Sequence, residues 1–417
     1  AGCFSQFAIT SPRWEGEVKV LLATPDSASS GVKSLPPQQE GGALKTILQQ
    51  WGTLWQGGPF HPSIVDNFDK TKMLPAVVLT VLPLVCVISL WVASLYDQRF
   101  ANVVYKLHLL RSGLATMLFS TDRKWKRTPD AEGVNDVDAV KKVIFVRHGE
   151  SEWNLVFNKG FGADFPGRLG SALLAEAKEA TTLDSVFVDS PLSSVGCSQA
   201  KSLVNFIEKE SEEHSSGLGT LLKGLEGESV IASSNLRRAL STCTIGFWPR
   251  LQRTQEKIHI LSSLQEVTFN IDGVALAKRH DYPELSAQEL AAVGHKKSSF
   301  RPERVYDASR NDGTKIVKSV GVDRLKAFAS WIFERKEPTI IAAGHSLYNR
   351  YFFDTFLPRK SLHESKILKM ENCAIVAFDF HRGKLKNGQT WYRIEESSIE
   401  NIYLGFEQKK VRKSKSA

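Results

Sequence analysis

The chain has 417 residues, 42% of them hydrophobic and 24% charged, with a formal net charge of +9. That composition is ordinary for a globular protein with a substantial core, and the positive balance suits an anionic substrate or an acidic membrane face without choosing between them. Five cysteines, Cys3, Cys86, Cys197, Cys243 and Cys373, are scattered without the paired spacing of metal sites or disulfide frameworks; this excludes a disulfide scaffold and suits a reducing compartment.

The sequence opens on Ala1, as a processed chain or an incomplete reading frame would. Residues 1–40 are rich in Ser, Pro and Gly and read as disordered, whereas Leu44, Ile47, Leu48, Trp51, Leu54 and Trp55 recur at the spacing of a short amphipathic helix. This N-terminal region spans 1–73. From Leu74 to Tyr96 no side chain is charged, and the run exceeds the roughly 20 residues that cross a hydrocarbon core as a helix. A transmembrane helix over 74–96 is expected, with Pro75 tolerated in its first turn, Pro83 kinking its middle, and Trp91 and Tyr96 at one interface. Arg99, Lys106 and Arg111, with Arg123, Lys124, Lys126 and Arg127 beyond, outweigh Lys70 and Lys72, which favours a single pass with the rest of the chain in the cytosol. Within the basic segment and linker 97–137, Phe100 to Phe119 reads as a helix that lies on the membrane surface or packs on the domain. Thr128 to Asp136 is the linker proper.

From 138 to 400 strands and helices alternate. Val143 to Val146 reads as a buried strand, followed by a helix around Leu203, a strand at Ser229 to Ala232, a helix from Arg238, a strand at Thr339 to Ala343 and a helix after Ser346. The pattern predicts an α/β fold, a doubly wound and mostly parallel sheet with helices on both faces. Ligand groups then gather at the carboxyl ends of the strands. Arg147 and His148 stand at such an end: a fixed cation beside a titratable nitrogen nucleophile, a pairing suited to a phosphate dianion. The tail, 401–417, turns basic and reads as solvated or drawn to anionic lipid.

The segment Arg147-His148-Gly149-Glu150-Ser151-Glu152-Trp153-Asn154 resembles the signature of the histidine phosphatase superfamily, the phosphoglycerate mutase-like fold. Further segments follow in that family's order over roughly residues 138 to 385. Pro191 to Ala200 resembles its Pro-Leu-(Ser/Thr)-x-x-Gly-x-x-Gln-Ala stretch, which caps and packs a helix. Ser234 to Thr242 resembles Ser-x-Leu-x-Arg-Ala-x-x-Thr, with Arg238 at the phosphate-gripping position and Arg237 flanking it. Thr339 to His345 ends a strand on the second histidine, with Ser346 where many relatives have glycine. Leu264-Gln265-Glu266 falls where the family commonly places its general acid.

The resemblance implies a metal-independent phosphomonoester hydrolase without a cofactor, in which His148 forms a phosphohistidine that water cleaves. Arg147, Asn154, Arg238 and His345 would bind the phosphoryl group. Glu266 would be the acid and then the base, with a raised pKa, and Glu284 and Asp272 are its reserves. The stretches that would recognise phosphoglycerate in the mutase branch are replaced, by Leu155 to Phe161 and by Gln265 to Asn270, so hydrolysis is favoured over mutase-type transfer. A catalytically weak, membrane-tethered phosphoprotein-binding module is the reading from another class. The expected partner is a phosphorylated small molecule or phosphoprotein, with no nucleic acid. The long segments Asn158 to Asp184 and Asn270 to Arg304 are expected to rim the pocket.

Overall fold

A computed structural model describes residues 70–124, 137–210, 217–385 and 387–408. The expected helix around Leu44 to Trp55, the linker Thr128 to Asp136 and residues 409–417 of the expected tail lie outside these residues, while the tail's start differs from expectation: Glu400–Tyr403 is a strand, and Ile402 and Phe406 are buried. The site described below falls within the unit Val78–Ala417.

Helix α1 (Lys70–Ser94) contains most of the uncharged run, and from Val81 onward it leaves Leu82, Val85, Ile88 and Trp91 exposed. Among the described residues no helix is long and apolar enough to cross a membrane. The expected transmembrane element over 74–96 is therefore not found there: the side chains of 70–80 lie outside the described residues and the helix stops at Ser94, short of Tyr96. Asp97 starts α2 (Gln98–Phe119), its carboxylate accepting from the Arg99 amide at 2.8 Å as an N-cap does.

Of the two readings of Phe100 to Phe119, packing on the domain holds for one face of α2. Asn102, Lys106, Leu109, Gly113 and Thr116 recur at helical spacing and are buried. Lys106 Nζ donates to the carbonyls of Glu179 at 2.5 Å and Asp184 at 2.9 Å, and Leu109 packs with Val188, Val274 and Leu276. The opposite face exposes Leu107, Leu114 and Leu118.

The elements that follow are β1 (Val137–Arg147), α3 (Phe165–Lys178), α4 (Ser194–Asn205), α5 (Leu218–Lys223), β2 (Ser229–Ser234), α6 (Arg237–Gly246), α7 (Trp248–Thr254), β3 (Ile258–Leu261), α8 (Ala287–Ala292), α9 (Pro302–Val305) and β4 (Tyr306–Asp307). They continue with α10 (Gly321–Glu334), β5 (Thr339–Gly344), α11 (Ser346–Phe356), β6 (Ile375–Lys384), β7 (Thr390–Ile394) and β8 (Glu400–Tyr403). The sheet order is β4-β3-β2-β5-β1-β6-β7, with β8 also paired to β6.

From β4 to β1 every pairing is parallel, while β6 runs antiparallel to β1, and β7 and β8 run antiparallel to β6. The sheet is thus mixed and curled rather than mostly parallel throughout. The physical reason lies before β6: after α11 the chain comes back to the carboxyl end of β1, where Cys373, at φ 61, donates its amide to the Arg147 carbonyl, so β6 starts there and runs back along β1. Ile375 to Phe378 is as apolar as a buried parallel strand, so the pattern alone does not reveal its direction.

Side chains alternate between two cores. Val143 and Phe145 of β1 face one, with Phe328 of α10 and Phe352 and Phe353 of α11; Ile144 and Val146 face the other, with Leu203 of α4 and Leu240 of α6. Helices therefore cover both faces, as expected. The register pairs Arg147 of β1 with Gly344 of β5, and Ser233 of β2 with Ala343 of β5. The residues just past these strand ends, His148 and His345 among them, are collected at the carboxyl ends of the interior strands.

Candidate active site

The rings of His148 and His345 lie with centroids 5.1 Å apart. His148 Nδ1 sits 2.6 Å from the Gly149 carbonyl, which can only accept, so Nδ1 carries the proton and Nε2 keeps its lone pair. Arg238 Nε faces that Nε2 at 3.4 Å. Burial, then the charges of Arg238 and Arg147, push the His148 pKa well below the usual histidine value. The imidazole is therefore neutral at neutral pH, the state in which Nε2 is a nucleophile. His345 Nε2 is 2.8 Å from Ser234 Oγ, and its Nδ1 is buried without a partner among the described residues. Such an orphaned buried nitrogen marks a place for a ligand atom.

The loop after β1 is locked by packing. Gly149 donates its amide to Thr242 Oγ1 of α6 at 3.0 Å. A Cβ on Gly149 would meet the Gly196 carbonyl at 2.8 Å, and one on Gly196 would collide with the Glu150 carbonyl, so two glycines allow loop and helix to touch. Ser193 caps α4, accepting from the Gly196 amide at 3.1 Å and donating to Glu150 Oε1 at 2.9 Å. The Pro191 to Ala200 segment thus holds the signature loop in place.

Arg237 and Arg238 are both buried and do different things. Arg237 binds Asp184 and the carbonyls of Ser185 and Asp189, a structural clamp. Arg238 turns to the histidines, with Nη1 donating to the Asp272 carbonyl at 2.7 Å and Nη2 at 3.4 Å from its carboxylate.

Glu266 is buried, and its Oε1 accepts from the amides of Val267 at 3.0 Å and Tyr348 at 2.8 Å. Tyr348 lies in the first turn of α11, whose N-cap is His345, so the carboxyl sits at the helix end that carries the second histidine. Oε2 makes no hydrogen bond among the described residues and is free to carry a proton. Burial raises the Glu266 pKa against the pull of Arg238, and burial likewise raises Asp272. Glu284, by contrast, pairs at the surface with Lys297 at 2.6 Å and drops out as a reserve acid.

Arg147 donates through Nη1 to the Met370 carbonyl and to Glu407 Oε1, the latter at 3.0 Å, and its Nε is buried without a partner among the described residues. Of the expected site residues, His148 and Arg238 are joined by a hydrogen bond and His148 and His345 by ring contact, whereas Asn154 Oδ1 accepts from Asn158 Nδ2 at 2.8 Å. The segment Asn270 to Arg304 divides, with Asp272 on Arg238 while Leu276, Tyr282 and Glu284 line a separate cavity with Tyr105 and Arg237. Within Asn158 to Asp184, α3 packs its Ala172 on Val156 and Val186 as a satellite core. Among the described residues no group of three or more His, Cys, Asp or Glu could hold a metal ion.

Several residues beneath the site carry no motif signal: Asp122, Lys315, Arg324 and Glu407. Asp122 and Glu407 fall outside the catalytic segments, and Lys315 and Arg324 lie in no motif, yet Asp122 and Lys315 are almost wholly buried.

The chain matches the family model of the histidine phosphatase superfamily (branch 1) over residues 143–391, more than half its length, and belongs to that superfamily. Membership supports phosphoryl hydrolysis or transfer. No curated protein matches the chain. Among solved structures it is similar to a mycobacterial glucosyl-3-phosphoglycerate phosphatase, at 14% identity over 61% of this chain and 97% of that one, with a TM-score of 0.29. It is also similar to a phosphoserine phosphatase from Entamoeba histolytica, at 14% identity over 61% and 97%, with a TM-score of 0.28. A third, mycobacterial hydrolase 1, shares 13% identity over 62% and 97%, with a TM-score of 0.30.

Proposed function

We propose that the chain hydrolyses phosphomonoesters through a phosphohistidine on His148, without a metal. The observation that carries the reading is the His148 ring, whose Nδ1 is tied to the Gly149 carbonyl while Nε2 faces the Arg238 guanidinium. In the first step Nε2 attacks phosphorus, the bond to the ester oxygen breaks, and the Glu266 proton passes to the leaving oxygen. In the second, water attacks phosphorus, its proton goes to Glu266, and the P–N bond breaks to return neutral His148 and inorganic phosphate. Arg147 and Arg238 offset the charge on the oxygens of the transferring group and His345, held neutral by burial and the charge of Arg238, donates a hydrogen bond to it, with Asn154 joining them once its bond to Asn158 is given up. The replaced mutase stretches favour water over a second phosphate ester as acceptor. The substrate class is a phosphorylated small molecule or phosphoprotein.

The test is acid quench of the full chain with a radiolabelled aryl phosphate, beside His148→Ala. Turnover and a labelled protein that both vanish in the variant support the mechanism. A folded wild-type chain that neither turns over nor labels, yet binds phosphopeptide, sinks it in favour of a binding module.

A membrane location, with the catalytic domain in the cytosol, is the second part of the proposal. It rests on the uncharged run and on the exposed Leu82, Val85, Ile88 and Trp91. Retention of the full chain in carbonate-washed membranes is the expected result; its release abandons the idea.

A further inference from the structure

The segment that precedes the family match, ending in Asp122, grips the loop that carries Glu266. Asp122 is 1% exposed in its side chain. It accepts from Lys315 Nζ at 2.5 Å, from Arg324 Nη1 and Nη2 at 2.8 and 3.1 Å, and from the Thr268 amide at 3.1 Å. The two cations then reach the acid loop from below. Lys315 Nζ donates to the carbonyls of Glu266 at 2.7 Å and Thr268 at 2.6 Å, and Arg324 Nη2 donates to the Glu266 carbonyl at 3.3 Å. The neighbouring Arg123 adds a bond from Nε to the Val267 carbonyl at 3.4 Å and lies over the Phe269 ring.

Burial pushes Asp122 up, but the bonds from Arg324 and the charge of Lys315 outweigh it and hold its carboxyl below the usual value. Burial pushes Lys315 down to about 8 against the pull of Asp122. Near pH 7 the cluster is therefore one anion between two cations.

We infer that Asp122 is a positioning residue for the general acid: through Lys315 and Arg324 it fixes the backbone of Glu266 to Thr268, and thereby the Glu266 carboxyl against the first turn of α11. This rests on the phosphatase reading above. Asp122 lies outside the matched residues 143–391, so the link belongs to this chain's own N-terminal extension. It makes the segment from α2 to Lys124 part of the working catalytic unit.

The chemistry offers a readout that loss of folded protein cannot imitate. An alkyl phosphate needs a proton on its leaving oxygen, whereas 2,4-dinitrophenyl phosphate expels a phenolate that needs none. Loss of a positioned acid therefore lowers kcat/KM for the alkyl ester alone, and a smaller folded fraction lowers both equally. In the full chain, Asp122→Asn is expected to cost the alkyl ester roughly 10- to 100-fold, within the range of general acid catalysis, and the dinitrophenyl ester no more than about threefold. Lys315→Gln should give the same split. The double variant should lose less than the product of the two, because the residues act as one unit.

Equal losses on both esters, or no loss, overturn the positioning role while leaving the phosphatase reading intact, provided His148→Ala silences both esters. A wild-type chain inactive on both overturns the two together. Should Asp122→Asn prove unfolded by circular dichroism, the leaving-group split in Lys315→Gln decides the matter.

Discussion

His148, Arg238 and His345 are held by the sheet, whereas Glu266 and Asp272 are held by side chains. The first three follow β1, β2 and β5, whose registered pairings fix the backbone, and two facing glycines fix the loop beyond. The second pair sits between β3 and α8 with only short 3-10 turns, and its position depends on Lys315, Asp122, Gln265 and the Tyr348 amide of α11. A phosphate-binding half built into the core resists change unless the fold is disturbed. A proton-transfer half hung on a few buried bonds can be detuned while the rest stays folded.

The largest break in this comparison is His148→Ala, which removes the nucleophile from the rigid half. Turnover of every ester should fall by at least about 1,000-fold, with no acid-quenched label. Glu266→Gln strikes the other half, and its effect should depend on the ester: about 100-fold or more for an alkyl phosphate, far less for one with an acidic phenol.

The pH profile of kcat/KM sharpens the same division. His148 is held well below the usual histidine value, so activity should be lost on the acid side only once pH falls through that depressed value and Nε2 is protonated. Glu266 is raised above the usual glutamate value and must be protonated to donate, so activity should fall as pH rises through its raised value. Glutamine cannot titrate, and the alkaline limb should disappear in Glu266→Gln. Survival of that limb would pass the acid role to Asp272, also raised by burial.

The rigid half is also the half that the sequence displays. Arg147-His148-Gly149, Arg238 and His345 stand at the ends of apolar runs, where periodicity locates strands and the order of segments locates the site. The direction of β6 was hidden because a buried antiparallel strand is as apolar as a parallel one. Glu266 could be named only by its place between motifs. Asp122, Lys315 and Arg324 could not be named at all, since a lone charge in a sequence is nearly always solvated and only the fold reveals that these are buried. The same limit explains Arg237, whose neighbour binds the site while it clamps Asp184.

The smallest expected effect tests a carboxylate at the border of the two halves. Glu407 and the Met370 carbonyl share Nη1 of Arg147. Because the carbonyl also holds Nη1, the expected added effect of the carboxylate is electrostatic: together with the charges of Glu266 and Glu371 it offers Arg147 an anion that competes with the phosphoryl group. Its side chain is 46% exposed, and so open an ion pair is worth at most about 1 kcal/mol, roughly fivefold in affinity. Glu407→Gln should accordingly strengthen competitive inhibition by inorganic phosphate two- to fivefold, and the gain should shrink as salt is raised. Weaker inhibition would mean instead that Glu407 holds Arg147 in its binding pose, and would move it from competitor to support.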